Sequence, residues 1–269
     1  MVRVFAVLLF VVQVWADSLD DKIKSLVEPA QYEKHFRLIK RLFADRSEFY
    51  TQGERVDILK VVRRLKENGL LPLEFAGSKK SMIVLRTSSS PMLALKCVDG
   101  VLRELGYVDY LIERMRYDLS ELSWSISFVS DYTLDPETFA STLIERGCFI
   151  ADIKRELSTS WIYEIECDGA VLPSIELSKG EERKLKKPLD DYWLRIKEGK
   201  KIRIYSYGAN SWHPKISFLD RQLNVLSIYR ENEKRSKVSL DLPQGTYYIK
   251  ISDIFTLSNI KYGLKVSLE

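Results

Sequence analysis

The chain has 269 residues, of which 45% are hydrophobic and 30% charged. That length suits two domains better than one, and the composition provides a sizeable core while arguing against a membrane-embedded body. The formal charge of +4 is too small to imply nucleic acid unless the basic residues share one face.

Residues 1–16 read as a targeting segment. Arg3 supplies a short positive region, Val4 to Val14 form an apolar run broken only by Gln13, and Val14-Trp15-Ala16 ends on a small residue. This is the pattern of a secretory signal peptide, too short to span a bilayer that needs ~20 residues of helix. Cleavage after Ala16 leaves a mature chain from Asp17 in the periplasm or outside the cell, with no transmembrane anchor; a buried first helix is the alternative. Three cysteines remain: Cys97, Cys148 and Cys167. Export permits a disulfide, and three thiols leave one over. No C-x-x-C spacing occurs, which argues against zinc ribbons and thioredoxin-like motifs.

Residues 17–75 read as a helical layer. Ile23, Leu26 and Val27 form an apolar stripe that Pro29 interrupts. Tyr32, Phe36, Ile39 and Phe43 then recur at helical spacing. A further helix is expected over 54–68, with Val56, Leu59, Val62 and Leu65 inward and Gly69 just past its end.

Residues 76–170 alternate strand and helix twice. Strands are expected over 82–86, 107–117, 122–131 and 148–155, and helices over 91–106 and 136–147, each opened by a proline. Asp135 is a good N-cap for the second helix. Strand–helix–strand twice over is the ferredoxin-like βαββαβ motif, and Trp161 to Cys167 adds one more strand by hairpin. A hairpin symmetric about Leu157-Ser158 sets Cys148 opposite Cys167, pairing Ile150 with Ile165 and Ile153 with Ile162. Opposite residues bring Cβ atoms to ~4.5–5.5 Å, near what a disulfide needs. Two separate buried thiols are the alternative, and Cys97 stays free in either case.

Residues 171–190 read as a solvated linker around Asp168-Gly169, Pro173 and the charged run 181–187. From 191 to 269 the chain is all-β by pattern. Strands are expected near 192–197, 201–207, 215–219, 223–229, 237–242, 246–251 and 260–268, with turns between them. Leu242-Pro-Gln-Gly-Thr-Tyr-Tyr-Ile-Lys-Ile251 is the clearest of these, a Pro–Gly turn feeding an alternating strand that reads as the closing hairpin of a β-sandwich. The expected fold class is α+β multidomain: a helical N-terminal layer, a ferredoxin-like domain and a C-terminal jelly-roll-like sandwich.

Four motifs in this last region run in order: Trp193-Leu-Arg-Ile-Lys-Glu-Gly-Lys-Lys-Ile-Arg-Ile204, Phe218-Leu-Asp220, Leu242-Pro-Gln-Gly-Thr-Tyr-Tyr248 and Tyr262-Gly-Leu-Lys-Val266. Together they resemble the bacterial pre-peptidase C-terminal (PPC) family over about 75 residues. The residues before them resemble a periplasmic protein with a ferredoxin-like domain. The PPC resemblance implies a jelly-roll-like sandwich appended to secreted proteins, with some members binding polysaccharide or protein fibres and some binding calcium. No protease domain precedes it here. Glu176, Glu181, Glu182, Asp190 and Asp191 lie where metal-binding relatives keep ligands, but they form no clear oxygen-ligand set and read as surface acids.

Catalytic inventory is thin. The two histidines are His35, in the helical layer, and His213, in a loop before Pro214. No G-x-S-x-G, H-E-x-x-H or P-loop occurs. Ser88-Ser89-Ser90-Pro91 reads as a helix cap or an anion cradle, and Cys97 as a buried mid-helix thiol. No cofactor and no metal are expected.

A surface is the stronger signal. If 192–197 and 201–207 form a hairpin about Gly199, then Tyr192, Leu194, Ile196, Ile202 and Ile204 face inward. The opposite face carries Trp193, Arg195, Lys197, Lys201, Arg203, Tyr205 and Tyr207. In the simplest register Arg195 opposes Arg203 and Lys197 opposes Lys201, a like-charge arrangement that an anionic glycan or acidic envelope protein would relieve. Acids on neighbouring strands are the alternative source of balance. The expected function is an exported, non-enzymatic binding or adaptor protein of the bacterial envelope, with no nucleic-acid partner. An envelope enzyme, or an assembly component of a secretion or motility apparatus, are the alternatives.

Overall fold

The computed structural model describes residues 11–52, 55–118 and 121–269, with side chains from Leu19 onward. The expected signal peptide lies mostly outside the described residues. Helix α1 (Val11–Leu26) runs across Ala16 and Asp17 without a break, and no described helix is long and apolar enough to cross a membrane. The fold is mixed α and β, mostly strands, and the chain divides into two compact units between Val171 and Leu172.

The first unit takes in both the helical layer and the domain expected to follow it. Residues 17–75 are therefore part of one body with 76–170. After α1 come α2 (Pro29–Lys34), α3 (Phe36–Leu42) and α4 (Ile58–Glu67). The helix expected through Tyr32 and Phe43 is parted at His35, whose backbone at φ −107° and ψ 16° leaves the helical range, and α2 buries no residue. Helix α4 starts later than its apolar pattern suggested. Asp57 caps it by accepting from the Lys60 N–H at 3.2 Å, and Val56 instead bridges to Tyr50. Its buried side is Ile58, Val61, Val62 and Leu65. Gly69 closes it, with its N–H on Lys66 O and the next N–H on Leu65 O.

Strand β1 (Glu74–Thr87) leads to α5 (Pro91–Glu104), β2 (Leu111–Tyr117) and β3 (Leu122–Tyr132); α6 (Pro136–Glu145) is followed by β4 (Phe149–Leu157) and β5 (Ser160–Glu166). The sheet order is β2-β3-β1-β5-β4. β1 is antiparallel to β3 and parallel to β5. This departs from the expected ferredoxin-like order, in which the strand after the second helix lies beside β1. Here the extra hairpin strand, β5, takes that place. Burial explains the exchange. In β5, Ser160, Trp161, Ile162 and Tyr163 are all buried, so both faces need cover. β4 alternates exposed and buried residues and carries Asp152, Lys154 and Arg155, which suits an edge. One sheet face presents Ile83, Leu85, Trp124, Ile126, Trp161 and Tyr163, all buried. Helix α1 packs on β4 and α4, and α6 on α4, α5 and β4.

Cys148 and Cys167 are joined by a disulfide that closes the β4–β5 hairpin, and Cys97 is free and buried. Ile150 faces Ile165, but Ile153 faces Tyr163 instead of the expected Ile162. Two bulges, at Ile150/Asp152 and Arg155/Leu157, shift the register between the turn and the cysteines. Ser90 does not cap α5 with its side chain. Ser89 Oγ instead accepts from the Cys167 N–H at 2.7 Å.

The second unit begins where a linker was expected. Residues 171–190 supply two edge strands, β6 (Ile175–Leu177) and β7 (Glu182–Leu185), whose Leu177 and Leu185 are buried. Then come β8 (Tyr192–Ile196), β9 (Lys201–Ser206), β10 (Pro214–Leu219), β11 (Val225–Arg230), β12 (Lys237–Asp241), β13 (Tyr248–Asp253) and β14 (Leu264–Leu268). Two sheets form, β11-β10-β13-β8-β6 and β12-β9-β14-β7. Their alternating inward residues, Leu194, Ile204, Ile216, Ile249 and Val266 among them, make one core. The Pro243–Gly245 turn exists, with Gly245 at φ +84°. It joins β12 of one sheet to β13 of the other, so it is an arch between sheets and not a hairpin.

Asp253, at the end of β13, organises the turn that follows. Its Oδ1 accepts from the Phe255 and Thr256 N–H groups and from Asn259 Nδ2; its Oδ2 accepts from the His213 N–H at 2.7 Å. Burial pushes this carboxyl up, and the bonds to the ionised form more than offset that, leaving its pKa below the usual carboxylate value.

Two tests follow from these contacts. Replacing Cys148 and Cys167 together by serine should destabilise the first unit by about 3 kcal/mol, on the chain-entropy account of a short loop. Denaturant unfolding of oxidised parent and variant measures it, and equal midpoints would show that the bond does not constrain the chain. Asp253→Asn should cost the second unit about 1.5–3 kcal/mol at pH 7, the worth of hydrogen bonds to a charged group. Because the folded carboxyl has the lower pKa, its stabilisation is complete above the unfolded value of about 3.9 and is lost as pH falls through the folded value. The gap between parent and variant should therefore close in urea melts taken at progressively lower pH below 4.

Candidate functional site

The inward half of the expected surface falls as the alternation requires: Tyr192, Leu194, Ile196, Ile202 and Ile204 are buried. The outward half does not form one face. β8 pairs with β13 and β6, whereas β9 pairs with β12 and β14. Trp193, Arg195 and Lys197 therefore belong to one sheet, and Lys201, Arg203, Tyr205 and Tyr207 follow the strand of the other. Arg195 is opposite Tyr248, not Arg203, and Arg203 is opposite Ser239 and Ser267. The reason is that strand alternation states which side faces the core but not which strand lies alongside.

The first group is balanced locally. Glu176, on β6, is hydrogen-bonded to Arg195 and lies 2.5 Å from Lys197 Nζ. The Lys197 bond first, then that of Arg195, hold the Glu176 carboxyl below its ordinary value. Trp193 lies beside Lys250, whose ammonium is 5.7 Å from the ring centre and 2.7 Å from Asp191. The other acids near the start of this unit are engaged too: Glu181 with Arg183, Glu182 with Lys265, and Asp190 with the Asp191 N–H. Among the described residues no group of three or more His, Cys, Asp or Glu side chains is placed to hold a metal ion.

The second group lies on the outer face of sheet β12-β9-β14-β7. Two of its cations are neutralised, Lys201 by Asp241 at 3.4 Å and Arg203 by Glu269 at 2.5 Å. Tyr205 is the centre of what remains. Lys237 on β12 and Lys265 on β14 are its cross-strand partners on either side. Their ammonium groups lie 5.2 and 5.1 Å from its ring centre. Lys265 in turn is directly opposite Lys184 on β7. The four residues make one row across the sheet, Lys237–Tyr205–Lys265–Lys184. Strand spacing of ~4.8 Å puts its ends roughly 14 Å apart. Lys265 has Glu182 at 3.0 Å, but Lys184 and Lys237 have no ion-pair partner among the described residues.

This row contains only one of the seven expected residues. Lys237 and Lys265 carried a signal, since each alternates with buried neighbours, Val238, Leu264 and Val266. Lys184 sat in the charged run taken for a linker. What joins them is strand order, which alternation does not encode. His213 donates its backbone N–H to Asp253 and packs on Phe255 at 5.0 Å; it leads into β10 of the other sheet and is not part of the row.

No protein-family model matches the chain, and no curated protein matches it. Among solved structures, a beta-glucosidase from Paenibacillus barengoltzii is 17% identical over 35% of this chain and 11% of its own length, with a TM-score of 0.18. Likeness at that level carries no argument about fold or function.

Proposed function

We propose that this chain is an exported, non-enzymatic binding protein of the bacterial cell envelope, and that its second unit docks an anionic envelope glycan on the outer face of sheet β12-β9-β14-β7. The row Lys237–Tyr205–Lys265–Lys184 carries this reading. Like charges directly opposite one another on a sheet cost roughly 0.2–1 kcal/mol, and Lys184 opposite Lys265 is such a pair. A polyanion laid along the row turns that cost into attraction, with the exposed part of the Tyr205 ring available to a sugar. Export is supported by Arg3, the apolar run to Val14 and Ala16, and by the Cys148–Cys167 bond, which suits an oxidising compartment. The two-sheet core and the four PPC-like motifs support a PPC-like sandwich, and some members of that family bind polysaccharide or protein fibres. The first unit keeps the twice-repeated strand–helix–strand pattern, with β5 inserted between β1 and β4.

A second reading, assembly through the first unit, has one observation behind it. Among the described residues β2 pairs only with β3, and it exposes Leu111, Ile112, Met115 and Tyr117. Against it, β2 is bulged next to Glu113 and carries Arg114 and Arg116, devices that protect an edge from pairing.

Retention on immobilised polygalacturonate separates these readings. The parent should bind at low salt and elute as salt rises, since exposed charges are screened over ~8–10 Å near physiological ionic strength. Lys184→Glu with Lys237→Glu should abolish retention while leaving thermal stability within about 0.5 kcal/mol, as for other surface changes. Equal retention of the variant, or retention that ignores salt, would rule the row out. Self-association of parent and variant alike in sedimentation would favour assembly.

A further inference from the structure

The first unit holds a cleft of about 960 Å³ that the polyanion reading does not use. Four segments wall it: the end of α4 with the loop to Glu74, the turn from Leu105 to Asp109, the end of β3, and the residues leading into α6. Its apolar side is aromatic. Tyr107 and Phe128 meet edge to face with ring centres 4.6 Å apart. No histidine or cysteine lines it.

Its charge is acidic. Lys66 is the one cation in the lining, and it is already committed to Asp135 at 2.8 Å and Glu137 at 3.2 Å. Among the described residues Glu74 has only the Tyr132 hydroxyl, at 3.5 Å, and Asp109 has no ion-pair partner. Burial first, and the Asp135 carboxylate second, hold the Tyr107 phenol above its ordinary pKa, so it stays neutral and adds no further negative charge.

Thr133 supplies an independent observation. It lines the same cleft, is 2% exposed, and its Oγ1 has no hydrogen-bond partner among the described residues. Its N–H is spent on Leu73 O at 2.9 Å. A buried hydroxyl without a partner is costly, and one that persists beside a cleft calls for a group that supplies the bond.

We propose that this cleft binds an organic cation on a short apolar stem, an amine or guanidinium. Its N–H groups meet the Thr133 hydroxyl oxygen and the Glu74 and Asp109 carboxylates, and its stem lies against Tyr107 and Phe128. Such a head can be a free amine or the side chain of a lysine or arginine in a peptide, and the two share one chemistry. Titration calorimetry of the full chain at low salt tests it with agmatine and cadaverine as free cations, capped Gly-Arg-Gly and Gly-Lys-Gly as peptide-borne ones, and 1-pentanol as the neutral control. Saturable binding of at least one cation and none of pentanol is expected. The tighter class identifies the source. Glu74→Gln with Asp109→Asn should weaken that binding at least tenfold. Thr133→Val discriminates a ligand-facing hydroxyl from a merely structural one. It should raise the melting temperature of the unliganded protein, because an orphan polar group is removed, and still weaken the cation several-fold. No saturable binding by any cation, equal affinity in the Glu74/Asp109 variant, or parent-like affinity in Thr133→Val would each overturn the proposal.

Discussion

The second unit depends on one constraint: β8 and β9, two strands whose pattern reads as a hairpin, must part and bury their apolar sides against each other across a core. The Lys197–Lys200 segment carries the chain from one sheet to the other. Lys200 and Lys201 N–H both donate to Glu269 O, and the Leu242 N–H donates to Lys200 O at 2.8 Å. Lys197 N–H reaches Leu177 O at 3.3 Å in the other sheet. Gly199 is needed here for space, since a Cβ would come within 2.6 Å of the Leu268 side chain. The arch is therefore pinned by the last strand of one sheet and the first strand of the other. Everything on the outer faces follows from it, because it sends Arg195 to Glu176 and Tyr205 to its two lysines.

In the first unit the deciding quantity is burial on two faces. Trp161 and Tyr163 face the helices, while Ser160 and Ile162 are buried on the other side. A strand of that kind costs least in the middle of a sheet, with neighbours on both edges and cover above and below. β5 therefore displaces β4 from beside β1, and β4 keeps its charges at the rim. There Lys22 of α1 reaches Asp152, and Arg155, stacked 5.5 Å from the Trp161 ring, pairs with Glu28 at 3.0 Å. Burial lowers the Arg155 pKa from its usual value, consistent with a guanidinium held largely out of water beside that ring.

Much of this was legible in the sequence, and the rest was hidden for a physical reason. Turn residues, proline at helix starts, Asp135 as a cap and the alternation of Leu194, Ile196, Ile202 and Ile204 are local properties, set by a few adjacent residues. They placed nearly every strand from Tyr192 onward within a few residues. Partner choice is not local. A strand that alternates inward and outward looks the same whether its neighbour in sequence lies beside it or across the core, which is why the turns at Gly199 and Gly245 both read as hairpins and both proved to be arches. The edge strands β6 and β7 were obscured differently. Each has few residues and one apolar anchor, Leu177 or Leu185, set among charges that the solvated side requires. The cleft was beyond reach for the same reason as the lysine row, since Glu74, Asp109 and Thr133 come from three segments well separated in sequence.

The strand order that builds the Lys237–Tyr205–Lys265–Lys184 row decides what the outer face can bind. Cross-strand backbone NOEs in the full chain report it directly, because antiparallel partners bring Cα atoms to ~4.5–5.5 Å. Contacts between Tyr205 and Lys265, between Tyr205 and Lys237, and between Lys265 and Lys184 are expected, with none between Arg195 and Arg203. Contacts joining Arg195 to Arg203 and Lys197 to Lys201 would restore the hairpin and contradict it.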